Sequence, residues 1–219
     1  MADELELLLA EQIAYYRARA PEYEANSPWP YDEDLRTRLS SALDVFQPRG
    51  DVLELACGPG ICTGILAVYA SRLDAVDVSP EMLAIAAARV PQEHVRFIES
   101  DIFSWQPARR YDVVFFSAWL SHVPPQRFER FWALVGECLK QDGRVFFVDE
   151  LPAEAAYEQL IPGAIAPAVE RPLETGAQYR VVKVFHTPDE LREKLAKRGW
   201  DVMIHTIGWR FYYAIGSRR

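Results

Sequence analysis

Cysteine is scarce in this chain. Cys57, Cys62 and Cys138 fall at no metal-binding or disulfide spacing, and an odd count suits a reducing, cytoplasmic setting. Cys57, beside a glycine-rich turn, reads either as a reactive thiol or as a small buried filler. No apolar run reaches the length of a membrane span, so no membrane partner is expected. The opening Met1-Ala-Asp-Glu-Leu-Glu is acidic, unlike the basic-then-apolar start of a secretion signal. Positive charge is also short. The 24 Lys and Arg stand against 32 Asp and Glu, a net charge of −8, which disfavours nucleic acid and anionic surfaces as partners. There is no Gly-Lys-Ser/Thr, which excludes a phosphate-cradling NTPase loop.

What the chain does have is ample apolar material. Of its 219 residues 50% are hydrophobic and 26% charged, enough for the core of one ordinary globular domain. Its most specific segment is Val52-Leu-Glu-Leu-Ala-Cys-Gly-Pro-Gly60, an apolar run, an acid and a glycine-rich turn that feed into a helix from Ile61. Strand, tight turn and helix in that order let backbone approach a nucleotide-like ligand at the carboxyl end of a parallel strand. About twenty residues on, Leu73-Asp-Ala-Val-Asp77 ends a second apolar run on an acid that can accept hydrogen bonds from both ribose hydroxyls. Gly58, Gly60 and Gly64 miss the dinucleotide spacing G-x-G-x-x-G by one residue.

Strand and helix patterns alternate along the chain. Leu5, Leu8, Leu9, Gln12, Ile13 and Tyr16 fit a helix ending before Pro21, residues 26–34 a turn-rich link, and Leu35, Leu39, Leu43 and Phe46 a second helix. Strands are expected at 51–56, 72–78, 95–101, 111–116 and 143–148, with a helix over 60–70. Ser79 and Pro80 cap and open another helix. Phe128, Phe131, Trp132, Val135 and Leu139 form the core stripe of a third. After a helix over 188–198, runs at 200–207 and 209–215 around Gly208 indicate an antiparallel pair.

Turn, acid and terminal hairpin together resemble the class I S-adenosylmethionine-dependent methyltransferases, although Ala56 stands where that family usually has another glycine. The resemblance covers nearly the whole chain. It implies an α/β fold with a doubly wound, Rossmann-like, seven-stranded sheet and a C-terminal antiparallel hairpin. One domain, 1–219, is expected, divided into an N-terminal helical lid (1–47), a cofactor-binding core (48–150), a small cap insertion (151–187) and a C-terminal helix and hairpin (188–219). S-adenosyl-L-methionine is the implied cofactor. Ala56, Gly58 and Gly60 then face its methionine part, with Glu54 organising the turn and Thr63 and Val78 beside it. Asp77 holds the ribose or merely caps a strand. Met82 covers the adenine or serves the core. Asp101 and Ile102 read the adenine edge, and Ser117 and Trp119 stand between cofactor and acceptor. His122 is a general base, a substrate ligand or a structural histidine.

The acceptor is a small molecule, and the cap decides which one. Ser117-Ala-Trp-Leu replaces the Asn/Asp-Pro-Pro-Tyr-like segment of nucleic-acid base methylation. Asp149 and Glu150 alone cannot make a metal site, so no metal is expected; they read as pocket-rim residues. A strand at Tyr179-Arg-Val-Val-Lys-Val-Phe185 puts Lys183 on one face and Arg180 on the other. Lys183, between apolar neighbours, should sit inside against an anion. Arg171, in a turn-rich part, could swing over as a lid. These segments, with Ala14-Tyr-Tyr-Arg-Ala-Arg and Phe115-Phe-Ser-Ala-Trp-Leu-Ser-His-Val-Pro124, resemble the phosphonate O-methyltransferases of dehydrophos biosynthesis. That implies an anionic acceptor met by Arg171, Arg180 and Lys183, with the N-terminal segment bringing Tyr15, Tyr16 or Tyr31 near the reacting groups. A carboxylate satisfies the same charges as a phosphonate. Small-molecule N- or S-methylation and non-catalytic cofactor binding stay open, and the sequence sets no oligomeric state.

Overall fold

The apolar strand at the centre of the chain shows how the layers are built. In β4 (Tyr111–Ser117) successive side chains alternate between two buried surfaces: Val113 and Phe115 face one, Val114 and Phe116 the other. A strand with no polar face must be covered on both sides. Helices α3 (Glu33–Phe46) and α4 (Ile61–Leu66) cover the first surface with Leu39, Leu43, Phe46 and Leu66. Helices α6 (Phe128–Cys138) and α7 (Pro188–Ala196) cover the second with Phe131, Trp132, Leu191 and Leu195.

The structure is a computed structural model that describes residues 2–26 and 33–219; most of the expected link at 26–34, and Tyr31 with it, lie outside the described residues. The other large-sheet strands are β1 (Gly50–Leu55), β2 (Ala70–Asp77), β3 (Val95–Glu99), β5 (Leu139–Glu150), β9 (Trp200–Ile207) and β10 (Phe211–Arg218). They form one seven-stranded sheet in the order β3-β2-β1-β4-β5-β10-β9. Strands β1 to β5 pair in parallel, while β10 runs antiparallel to both β5 and β9. The order reverses between β1 and β4, which opens a crevice at the carboxyl ends of those strands. Helix α5 (Pro80–Arg89) begins as expected: Met82 N–H donates to Ser79 Oγ at 3.2 Å, with Pro80 in the first turn.

Several expected boundaries are corrected. Helix α4 stops at Leu66 rather than 70, because the chain tightens through Val68 N–H to Ile65 O and Tyr69 N–H to Leu66 O before entering β2. Strand β3 ends at Glu99, not 101. Leu139 opens β5 opposite Tyr111 instead of closing the helix, and the strand does not wait for Gly143. Strand β10 starts at Phe211, since residues 208–210 are spent on the turn. The N-terminal helix α1 (Ala2–Arg19) does stop before Pro21, yet the chain stays helical through Ala20–Glu22 and α2 (Tyr23–Asn26).

The segment between β5 and α7 holds more structure than the single expected strand. It makes a second antiparallel sheet from β6 (Gln159–Leu160), β7 (Ala168–Pro172) and β8 (Gln178–Val182). Helix α1 lies on this sheet, burying Leu5, Leu8 and Leu9 against Ala168 and Val182, and Tyr15 against Val169 and Val181. Buried Gln12 accepts the Val182 N–H (3.0 Å) and donates to His122 O (3.4 Å), standing in for part of a neighbouring strand. Strand β8 ends at Val182, not Phe185. Beyond it the Lys183 N–H still follows the β7 register to Pro167 O, and the Val184 N–H goes to Ser121 O, docking the chain on the loop after β4. Among the described residues no helix is long and apolar enough to cross a membrane.

Candidate active site

The floor of the crevice is a backbone turn. After β1 the chain runs left-handed at Ala56 (φ 52°), Gly58 (φ 53°) and Gly60 (φ 79°). A Cβ on Gly60 would stand 2.9 Å from Ala86 Cα, so glycine is what lets this turn close on α5. At Gly58 the space where a Cβ would stand is open. Gly58 N–H donates to Asp77 Oδ2 (2.8 Å) and Ser79 N–H to Asp77 Oδ1 (2.9 Å), so one carboxylate ties the turn after β1 to the turn after β2. Burial raises the Asp77 pKa, against the pull of those N–H groups. Behind the turn, buried Glu54 accepts the Thr63 hydroxyl at 2.6 Å. Burial, with the Asp77 charge adding to it, pushes the Glu54 carboxyl up to about 8.

Above this floor lies a cavity of about 820 Å³. Ala56, Gly58, Asp77, Val78 and Met82 line one end, followed by Asp101 and Ile102. Asp101 Oδ1 accepts the Phe103 N–H at 3.0 Å, which shapes that loop. Ala118 (φ 49°) bends the chain sharply after β4 and sets Ser117 and Trp119 on the wall. Tyr15 and Tyr16 come down from α1, and Arg171 and Lys183 enter from the second sheet and the segment after it.

His122 is fixed from both sides. Its Nδ1 lies 2.7 Å from the Val182 carbonyl, which can only accept, so Nδ1 carries a proton. Its Nε2 lies 2.8 Å from the Tyr16 hydroxyl. Burial, then the charges of Lys183 and Arg171, hold the imidazole well below its ordinary pKa, so it is neutral and Nε2 accepts from Tyr16.

The cations of the acceptor end come with partners. Buried Lys183 pairs with Glu150 and donates to Ser121 Oγ at 3.4 Å. Arg171 pairs with Glu158. The anion expected beside Lys183 is therefore one the protein supplies itself. Arg171 is not a turn residue free to swing: it belongs to β7 and is held in place. Arg180 does not line the cavity. It is exposed and clasps Glu11 of α1 through side chain (2.8 Å) and backbone N–H (2.6 Å), holding the helix to β8.

The cavity thus gathers Tyr15, Tyr16, Ala56, Gly58, Asp77, Val78, Met82, Asp101, Ile102, Ser117, Trp119, His122, Arg171 and Lys183. Glu54 and Thr63 stand behind the turn and Gly60 within it, all three off the wall. Met82 is at once buried and on the wall. Glu158 was not foreseen as a cavity residue, nor was the pair of Arg210 with Glu154 (2.8 Å). The register Gln159↔Glu170 and Leu160↔Val169, carried one step further, sets Glu158 opposite Arg171. That signal is readable only once the β6–β7 pairing is known.

A methyltransferase-domain family model matches residues 52–143. The solved complex of DhpI with S-adenosylhomocysteine superposes with a TM-score of 0.85 at 40% identity, covering 96% of this chain and 97% of that one. The chain belongs to the class I S-adenosylmethionine-dependent methyltransferases. The DhpI–SAM–HEP complex resembles this methyltransferase almost as closely, with a TM-score of 0.82 and 38% identity over 96% of this chain and 97% of that one. Trans-aconitate 2-methyltransferase of Escherichia coli (strain K12 / DH10B) is 39% identical over 75 residues, a stretch covering 33% of this chain and only 29% of that protein. The methyltransferase's cofactor is S-adenosyl-L-methionine. The residues present fit it: the backbone at Gly58 is open to the cavity, and the Asp77 carboxylate stands on the same wall.

Proposed function

We propose that this methyltransferase modifies an oxygen of a small anionic acceptor, a phosphonate or a carboxylate. The observation that carries the reading is that two cations, buried Lys183 and largely covered Arg171, enter one cavity beside Tyr16 and His122. An acid named in a relative, trans-aconitate, is in keeping with it. In this reading residues 1–219 act as one domain, with α1 and the second sheet as covers over the core.

When bound, S-adenosylmethionine supplies an electrophilic methyl group on a sulfonium. The turn at Ala56 and Gly58 would hold its amino-acid end, Asp77 the ribose, and Met82, Asp101 and Ile102 the base. Arg171 and Lys183 orient the acceptor oxygen, which gains rate by proximity. An anionic oxygen needs no base. A hydroxyl acceptor would need a base, and His122, with its depressed pKa and its bond to Tyr16, is a poor one, which favours an acid oxygen. Helix α1 and the second sheet keep water from the reacting groups.

Calorimetry with the cofactor, followed by a methyl-transfer screen over small acids, alcohols, amines and thiols, tests this. Esters formed from acids support it; transfer only to amines or thiols ends it. That second outcome has an observation of its own, since Glu150, Glu154 and Glu158 also line the cavity and suit a neutral or cationic acceptor of N- or S-methylation.

A further inference from the structure

Arg171 and Lys183 each already have a carboxylate of their own. Lys183 pairs with Glu150 and Arg171 with Glu158, and all four residues line the cavity. Their side chains are well covered, at 1%, 16%, 18% and 15% exposure for Lys183, Glu150, Arg171 and Glu158. The charges of these four side chains are therefore balanced against one another before any acceptor arrives. An acceptor carrying only negative charge would approach two carboxylates as closely as it approaches the cations, in a place where screening by water is weak.

A molecule with both signs meets no such conflict. We infer that the acceptor is a zwitterion, a small acid bearing an ammonium group, whose acidic oxygens face Arg171 and Lys183 while its ammonium faces Glu150 and Glu158. The inference rests on the acid-oxygen reading above and narrows it. Glu150 spends its buried Oε2 on Lys183, yet its side chain keeps 16% exposure on the cavity wall, where an ammonium can reach it.

The carboxylates also decide which atom reacts. An ammonium held between them keeps its proton and has no free lone pair. The acid oxygen's lone pair then forms the new O–C bond, the electrons of the broken S–C bond remain on sulfur, and no proton moves.

Matched acceptors test the inference on the full chain with S-adenosylmethionine: an α-aminoalkylphosphonate against the alkylphosphonate of equal length, and an α-amino acid against the acid lacking its amine. The zwitterion of each pair should be favoured in kcat/KM by about tenfold or more, with the ester as product by mass spectrometry. Glu150→Gln and Glu158→Gln should each erase most of that preference, with cofactor calorimetry and a thermal melt showing that the variant is folded. Equal or better turnover of the amine-free acid overturns the inference and leaves the acid-oxygen reading standing, as does an unchanged preference in both folded variants. N-methylated product, or no transfer to any acid by an enzyme that binds the cofactor, overturns both.

Discussion

Tyr16 on the opening helix gives its hydroxyl to Nε2 of His122, 2.8 Å away and 106 residues later in the chain. The Val182 carbonyl holds the other ring nitrogen, so one imidazole joins helix α1, the loop after β4 and the second sheet. Tyr16→Phe would leave a buried Nε2 without a donor. The expected cost is about 1 kcal/mol, or roughly 2–4 °C in melting temperature for a chain of this size. The sign of the pH effect follows from the depressed pKa of buried His122. The unfolded chain takes up that proton first, near pH 6.5, so stability falls as pH drops below about 6.5. His122→Asn should flatten this acid limb in denaturant melts; an unaltered limb would mean that other groups account for it.

Lys183→Met should be far more damaging than its size suggests. It leaves Glu150 poorly solvated with its cation gone, a change that typically costs about 3–5 kcal/mol. Removing both charges in Lys183→Met/Glu150→Gln should recover a large part of that loss in chemical denaturation. Methylation of acids should drop in both variants through a raised KM, while cofactor affinity by calorimetry stays within about threefold.

How much of this could be read in the chain depended on sequence distance. The turn at Val52–Gly60 and the acid at Asp77 are local patterns, because strand, turn and helix are dictated by neighbours within a few residues. The terminal hairpin was legible for the same reason. The acceptor end was not. Glu158 meets Arg171 only through a hairpin register, and Arg180 meets Glu11 across 169 residues. Alternation did separate Lys183, on the cavity wall, from Arg180, outside it, although the strand itself ends at Val182 and not at Phe185.

Two glycines of the same turn should behave differently when each is replaced by alanine. Both have positive φ, which costs an L-residue about 1–2 kcal/mol. Gly60→Ala adds a clash 2.9 Å from the backbone of Ala86, so its stability should fall further, by an extra ~1–3 kcal/mol. Gly58→Ala meets nothing within 4 Å, but it stands on the cavity wall. Its stability loss should stay near the smaller figure while cofactor affinity falls by about tenfold or more, as one misplaced methyl typically does. Calorimetry and melts on the pair separate the two effects. Equal cofactor affinity in Gly58→Ala and the parent would remove this turn from the cofactor's contact surface.

Glu54 gives the turn a pH dependence on the alkaline side. Its folded pKa of about 8 lies above the ordinary carboxylate value, so the native state keeps a proton that the unfolded chain has already lost. For a carboxyl shifted in this direction stability falls as pH rises, and the fall ends once pH passes the folded value. Between pH 7 and pH 9 the loss from this one group is about 1.4 kcal/mol. Glu54→Gln keeps a carbonyl for the Thr63 hydroxyl and has nothing to ionise, so its stability should decline less over the same interval. Cys138, whose thiol burial pushes up, remains in both proteins and cancels in the comparison; Cys57, raised by burial and then by the Asp77 and Glu54 charges, is replaced by Ser in both. Parallel curves for parent and variant would show that Glu54 is ionised in the folded chain, and that the Thr63 hydroxyl is bonded to a charge.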